Sequence, residues 1–257
     1  MTDTAASADS AWWIGPRLRF LPIVLVLVLG MVALEIAFLT VHFVTQAATP
    51  GVHWPQWLVL TFAEALELML ALIGIAIARR LLPNADFGLR WPPGRTYIGW
   101  AAFWGLAFAL IMLVADHWPV LIAMKAPMPP ETPTAVNVAG WLGFELLWVG
   151  ICEETLFRGF LLGVLTALSP SRVRFGRFEI STAGITLALL FALAHAGNFA
   201  TRPWYEALAQ QLYAIALGII YAWLREHSRS LVPAIVAHSL SDFGETGLEF
   251  LLNGLLG

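Results

Sequence analysis

The sequence predicts an all-α fold, a polytopic transmembrane helix bundle of about seven spans with eight possible. Three observations predict it. Of the 257 residues, 59% are hydrophobic and only 12% charged, with a mean hydropathy of +0.77, which makes a bilayer the natural solvent. Apolar stretches of spanning length recur along the chain, and cationic residues gather in alternate connections between them.

The first apolar stretch, 21–44, follows a segment, 1–20, read as cytoplasmic. It is too long for a signal-peptide core and is read as an anchor that stays. Three more unbroken stretches follow at 58–78, 97–115 and 138–165. A hydrocarbon core of about 30 Å needs about 20 helical residues, and lipid offers the backbone no partner, so each is a helix. Polar groups interrupt the stretches at 180–196, 207–224 and 231–250, which are also read as spans. Between the third and fourth, 116–137 holds Pro119, Pro127, Pro129, Pro130 and Pro133, and an irregular loop is expected. The domain division that follows is 1–20, then 21–137 with the N-terminal helices and this loop, then 138–250.

With the N-terminus in the cytoplasm, Arg17, Arg19, Arg79, Arg80, Arg90, Arg95, Arg172, Arg174, Arg177, Arg225 and Arg229 lie inside, against Lys125 and Arg202 outside. That split satisfies the positive-inside rule. Tryptophans fit two interfacial belts, Trp54, Trp57, Trp118, Trp141 and Trp204 outside and Trp12, Trp13, Trp91, Trp100 and Trp223 inside. Arginine-rich, lysine-poor usage points to a bacterial cytoplasmic membrane. The net charge of −3 and the lack of a basic block with aromatics give no sign of nucleic-acid binding. Cys152 is the single cysteine, which excludes an internal disulfide.

An ionised group at mid-membrane costs about 2.5 to 3.5 kcal/mol even on the lenient insertion scale, so intramembrane charges mark function by default. In the fourth span Glu154 and Arg158 are four apart on one helix face and can neutralise each other, the alternative being that Glu153 and Glu154 both pair with Arg158 as packing. Glu153, turned about 100° away, is left for another helix. The fifth span ends on His195 before Gly197 and Asn198, where a histidine also serves as a plain helix stop. In the seventh, His238 and Asp242 repeat the spacing of four. Carboxylates and imidazoles converging in a dry cavity are the groups that water activation needs.

Glu153-Glu154-x-x-x-Arg158, Phe191-x-x-x-His195 and His238-x-x-x-Asp242, in that order on successive spans, resemble the CPBP family, also called Abi. That family includes the CAAX prenyl endopeptidase and bacterial proteins linked to bacteriocin processing and self-immunity. The resemblance covers roughly 138–250, and Phe87-Gly88-Leu89-Arg90 is similar to a further family feature. It implies a helical intramembrane glutamate peptidase acting on membrane-associated peptides or proteins, with no cofactor and no obligatory metal. By position, it implies that Glu153 with His195 activates the attacking water and that His238 and Asp242 steady the oxyanion. Glu154, Arg158 and Phe191 would support them. The family's best-described members carry Asn where this chain has Asp242, and the CAAX endopeptidase has eight spans.

Four other readings compete. Glu153, His195, His238 and Asp242 are all metal-ligand types, although no His-Glu-x-x-His is present. Cys152 as a nucleophile lacks an assigned base and is flanked by acids. A non-catalytic scaffold or immunity protein could use the same fold. A transporter would use Glu35, Glu64, Glu67 and Glu145, for which near-interface positions and interhelical hydrogen bonds are the expectation.

Overall fold

The computed structural model describes residues 13–15 and 19–256. Trp12, Arg17, Gly257 and most of 1–20 lie outside the described residues. Among the described residues seven helices make the fold: α1 Phe20–Ala47, α2 Gln56–Leu81, α3 Ile98–Ile122, α4 Ala135–Leu168, α5 Thr182–Ala194, α6 Trp204–Ser228 and α7 Val232–Leu256. A short 3-10 turn, Ala196–Ala200, extends α5. Six of these segments are long and apolar enough to cross a membrane. The seventh, α7, is as long but more polar, and it packs among α3, α4 and α6, which shelter its polar face. The chain is a multi-pass membrane protein, an all-α bundle of about seven spans.

Two local expectations are corrected. Helix α3 runs on to Ile122 through Pro119 rather than ending at residue 115. A proline this close to a helix end removes only one backbone bond, which the apolar run around it outweighs. Ile180 and Ser181 are not helical. They belong to β3 Phe178–Ser181, which pairs with β2 Arg172–Phe175, which in turn pairs with β1 Trp13–Ile14. Arg172 and Arg174 both bond Glu179 across this hairpin, and these guanidiniums, Arg174 foremost, hold its carboxyl below the usual carboxylate range.

The arginines of the even connections do meet at one end of the bundle. Arg172 pairs with Glu226, Arg225 with Asp86, and Arg90 donates to the carbonyl of Arg229. The Phe87-Gly88-Leu89-Arg90 segment is the weld. Gly88 has φ +67, its amide bonds Asp86, and its carbonyl accepts from the amide of Leu231 at the start of α7. A side chain there would collide with Arg225 as well as strain the backbone. Trp141 departs from its expected place in an interfacial belt, because it is buried at 6% exposure and its indole donates to Glu131.

The two largest of four apolar clusters among the described residues build the bundle. One joins α1, α2, α4 and α5 through residues such as Val26, Ile75, Leu161 and Leu187; the other joins α3, α6 and α7 through Phe108, Leu217, Tyr221 and Ala237. The polar residues of α4 and α7 lie along their seam. Helix α4 is not regular there: π-helical turns at Glu145–Val149 and Thr155–Leu161 bracket Gly150–Glu154, a distortion that recurs at functional sites.

Close backbone approach sets α7 in this seam. A Cβ on Gly105 of α3 would lie 2.7 Å from the carbonyl oxygen of Ala237 and 2.8 Å from the Leu240 Cβ. Neither atom is the end of a flexible side chain. Gly105→Ala is therefore expected to push α7 outward at the residue before His238, with a cost of about 1 to 3 kcal/mol. A thermal midpoint in detergent equal to that of the parent protein would contradict this packing.

Candidate active site

Glu154 is fully buried, and its Oε1 is shared between two donors. Arg158 Nη1 reaches it at 2.8 Å along the helix, as the spacing predicted, and His238 Nδ1 reaches it at 2.8 Å from α7. Arg158 only donates and takes Oε1 as its acceptor, so Nδ1 of His238 carries the hydrogen of the second bond to that oxygen. On the other side of the ring, Nε2 lies 3.1 Å from Asp242 Oδ2 and 3.9 Å from Glu153 Oε2. A proton between Nε2 and Asp242 has two homes. On oxygen it makes Asp242 a neutral acid; on nitrogen it makes His238 an imidazolium.

Aromatic side chains lock this ring in place. Tyr221 of α6 stacks on His238 with centroids 5.1 Å apart and planes 17° from parallel. Its hydroxyl lies 2.9 Å from Ser241 Oγ, and Ser241 in turn bonds the carbonyl of His238 and Asp242 Oδ1. Phe191 meets Phe157, His195 and His238 edge-to-face, and the Arg158 guanidinium lies 4.5 Å from its centroid. Arg158, 1% exposed, thus receives its stabilisation from one carboxylate and three aromatic faces, those of Phe191, Tyr221 and Phe157.

His195 caps α5, and its Nδ1 lies 2.8 Å from the carbonyl oxygen of Phe191. A carbonyl only accepts, so Nδ1 holds the hydrogen and Nε2 of the neutral ring is left with a free lone pair. Glu153 and His195 line two adjoining cavities without bonding each other. One, about 580 Å³, also holds His238, Asp242, Glu145 and Glu245; the other, about 270 Å³, reaches α1 at Glu35 and α2 at Glu64 and Glu67.

The structure therefore brings Glu153, Glu154, Arg158, Phe191, His195, His238 and Asp242 to one place. Several neighbours carried no readable signal. Tyr221 and Ser241 sit in spans as ordinary residues, and the double use of Glu154 needs two helices to be seen. The expectation for Glu64, Glu67 and Glu145 is corrected. They form no interhelical hydrogen bond among the described residues; Glu67 and Glu145 are buried, and Glu64 lines both cavities. Glu35 lines the smaller cavity. Among the described residues, one group of three metal-ligand side chains has its ligand atoms within 4.8 Å of one another, His117, Glu245 and Glu249. None of the residues predicted for catalysis belongs to it.

A buried carboxylate and histidine constellation opening on a cavity inside a helix bundle defines a multi-pass membrane protein with a polar interior site. Residues 135–244 match the family model of the type II CAAX prenyl endopeptidase Rce1-like proteins. The segment is similar to an Rce1-like domain, in agreement with the resemblance read from the motifs, and the matched family is one of CAAX protease-like peptidases. No curated protein and no solved structure matches the chain.

Proposed function

We propose that the chain is an intramembrane endopeptidase that hydrolyses peptide bonds of membrane-associated peptides or proteins with water activated by Glu153 and His195. The observation that carries this reading is the contrast between the two adjacent glutamates. Glu154 is enclosed by Arg158 and His238, whereas Glu153 keeps 16% of its side chain open to the cavities, and its nearest basic group among the described residues, His238 Nε2, is 3.9 Å away. A general base must be free to take a proton from a water that also reaches the substrate.

The steps follow from the hydrogen bonds. Glu153 takes the proton of a water in the cavity, and His195 Nε2 accepts from the same water to orient it. The oxygen attacks the scissile carbonyl, and the tetrahedral intermediate then collapses with breakage of the C–N bond as the proton held by Glu153 passes to the leaving amine. Charge developing on the carbonyl oxygen is met from the His238 and Asp242 side, where a proton is available as a donor, a role worth about 3 to 4 kcal/mol for one well-placed group. Glu154, Arg158 and Phe191 position His238 without touching the reacting atoms. Comparing membrane peptides by mass spectrometry in cells with and without the protein tests the reading, since a scaffold leaves the peptide population unchanged.

Asp242 gives a second test. Asp242→Ala leaves Nε2 without its partner and is expected to lower cleavage about 100-fold or more. Asp242→Asn keeps a donor that cannot lose its proton. If the proton resides on oxygen, this variant retains cleavage and loses the decline at alkaline pH. If it resides on nitrogen, the variant removes the anion that holds the imidazolium, and the activity profile moves to lower pH. Cleavage measured against pH separates the two, and profiles for both variants identical to the parent protein would remove position 242 from the mechanism.

A further inference from the structure

The cavity of about 580 Å³ extends well beyond His238, along α4 to Glu145 and along α7 to Glu245 and Glu249. Its cationic groups at that end are already engaged. Arg202 lies 3.5 Å from Asp116, and His117 bonds Glu249 at 2.6 Å. Two carboxyl groups remain. Glu145 is only 8% exposed and has no hydrogen-bond or ion-pair partner among the described residues. Its oxygens are not among the fully enclosed unpaired atoms, unlike Glu67 Oε1, so they open on the cavity. Glu245, three residues beyond Asp242 on α7, lines the same cavity and likewise has no partner among the described residues.

A carboxyl group withdrawn from water without a partner is costly, and hydrocarbon supplies none. The chemistry that complements two such groups is a cation bearing several N–H donors. A lysine or arginine side chain supplies both the charge and the donors, and its aliphatic stem suits an apolar approach.

We propose that Glu145 and Glu245 form a subsite for a lysine or arginine side chain of the substrate, an inference that rests on the peptidase reading above. Glu145 precedes Glu153 by eight residues, about 12 Å along a helix that rises about 1.5 Å per residue. An extended peptide rises about 3.3 Å per residue. The basic residue therefore lies about three or four positions from the scissile bond.

The test uses quenched fluorescent peptides of one apolar sequence carrying either lysine or norleucine at each position up to four from the centre. All measurements contain EDTA, so that no metal ion competes at His117, Glu245 and Glu249. Binding is read by anisotropy on full-length Glu153→Gln protein, and cleavage on the parent protein. At one position the lysine peptide is expected to bind about 10-fold more tightly than its norleucine twin, the scale of one hydrogen bond to a charged group. Adding Glu145→Gln and Glu245→Gln should bring the two peptides level without changing the affinity of the norleucine form. Equal binding at every position overturns the subsite even if both peptides are cleaved. A lysine preference that survives the two substitutions overturns it as well. A preference erased by them, in a protein that cleaves neither peptide, sustains the subsite and counts against the peptidase reading instead.

Discussion

Glu153→Gln is expected to abolish peptide cleavage while leaving the yield and thermal midpoint of the membrane protein unchanged. The substitution keeps the shape of the side chain, and the structure has little to lose, since Glu153 makes no hydrogen bond among the described residues and its ion-pair contact, to His238 Nε2, is long at 3.9 Å. An amide cannot take a proton from water. Loss of a general base typically costs about 100- to 10,000-fold in rate, so residual turnover in detergent should fall below about one hundredth of the parent value. His195→Ala should lose activity similarly, because the bond from Nδ1 to the Phe191 carbonyl is what presents Nε2 to the cavity. Folded Glu153→Gln protein that keeps a tenth of its turnover would move the catalytic base elsewhere, with Glu64 and Glu145 the next carboxylates on the same cavity.

How far the site was legible depends on the reach of each interaction along the chain. The Glu154–Arg158 and His238–Asp242 contacts fall four residues apart on one helix, a spacing that carries its own geometry, and both form. The convergence of α4, α5 and α7 came from the ordered motifs rather than from any local pattern. The link from Glu154 to His238 spans 84 residues, and the stacking of Tyr221 on His238 joins two helices whose polar atoms look unremarkable in sequence. Glu64, Glu67 and Glu145 were misread for the same reason. Whether a carboxylate in a span meets a partner or a cavity depends on the neighbouring helices. The hairpin at β2 and β3 was hidden because Ile180, which packs in one cluster with Val173, extends the apolar pattern of the helix that follows.

Glu154→Ala is expected to remove most of the folded protein. It takes from Arg158, which is 1% exposed, its only hydrogen-bond acceptor among the described residues, and releases the Nδ1 side of His238. Breaking a buried pair by deleting one partner costs about 3 to 5 kcal/mol, a large share of the stability of most domains. A second variant separates the two roles of this carboxylate. Glu154→Leu combined with Arg158→Met removes both charges, and apolar replacement of a buried ion pair is often neutral or stabilising. The methionine can keep contact with the Phe191 and Tyr221 rings that Arg158 covers. Folded yield and thermal midpoint should therefore recover. Cleavage should not, because Nδ1–H of His238 still lacks an acceptor and the ring is no longer fixed toward Asp242 and Glu153. Fluorescence-detected chromatography of the detergent extract reads the first outcome, and hydrolysis of a quenched peptide reads the second. If the double variant recovers folding and cleavage together, Glu154 serves only as the counterion of Arg158 and has no part in aiming His238.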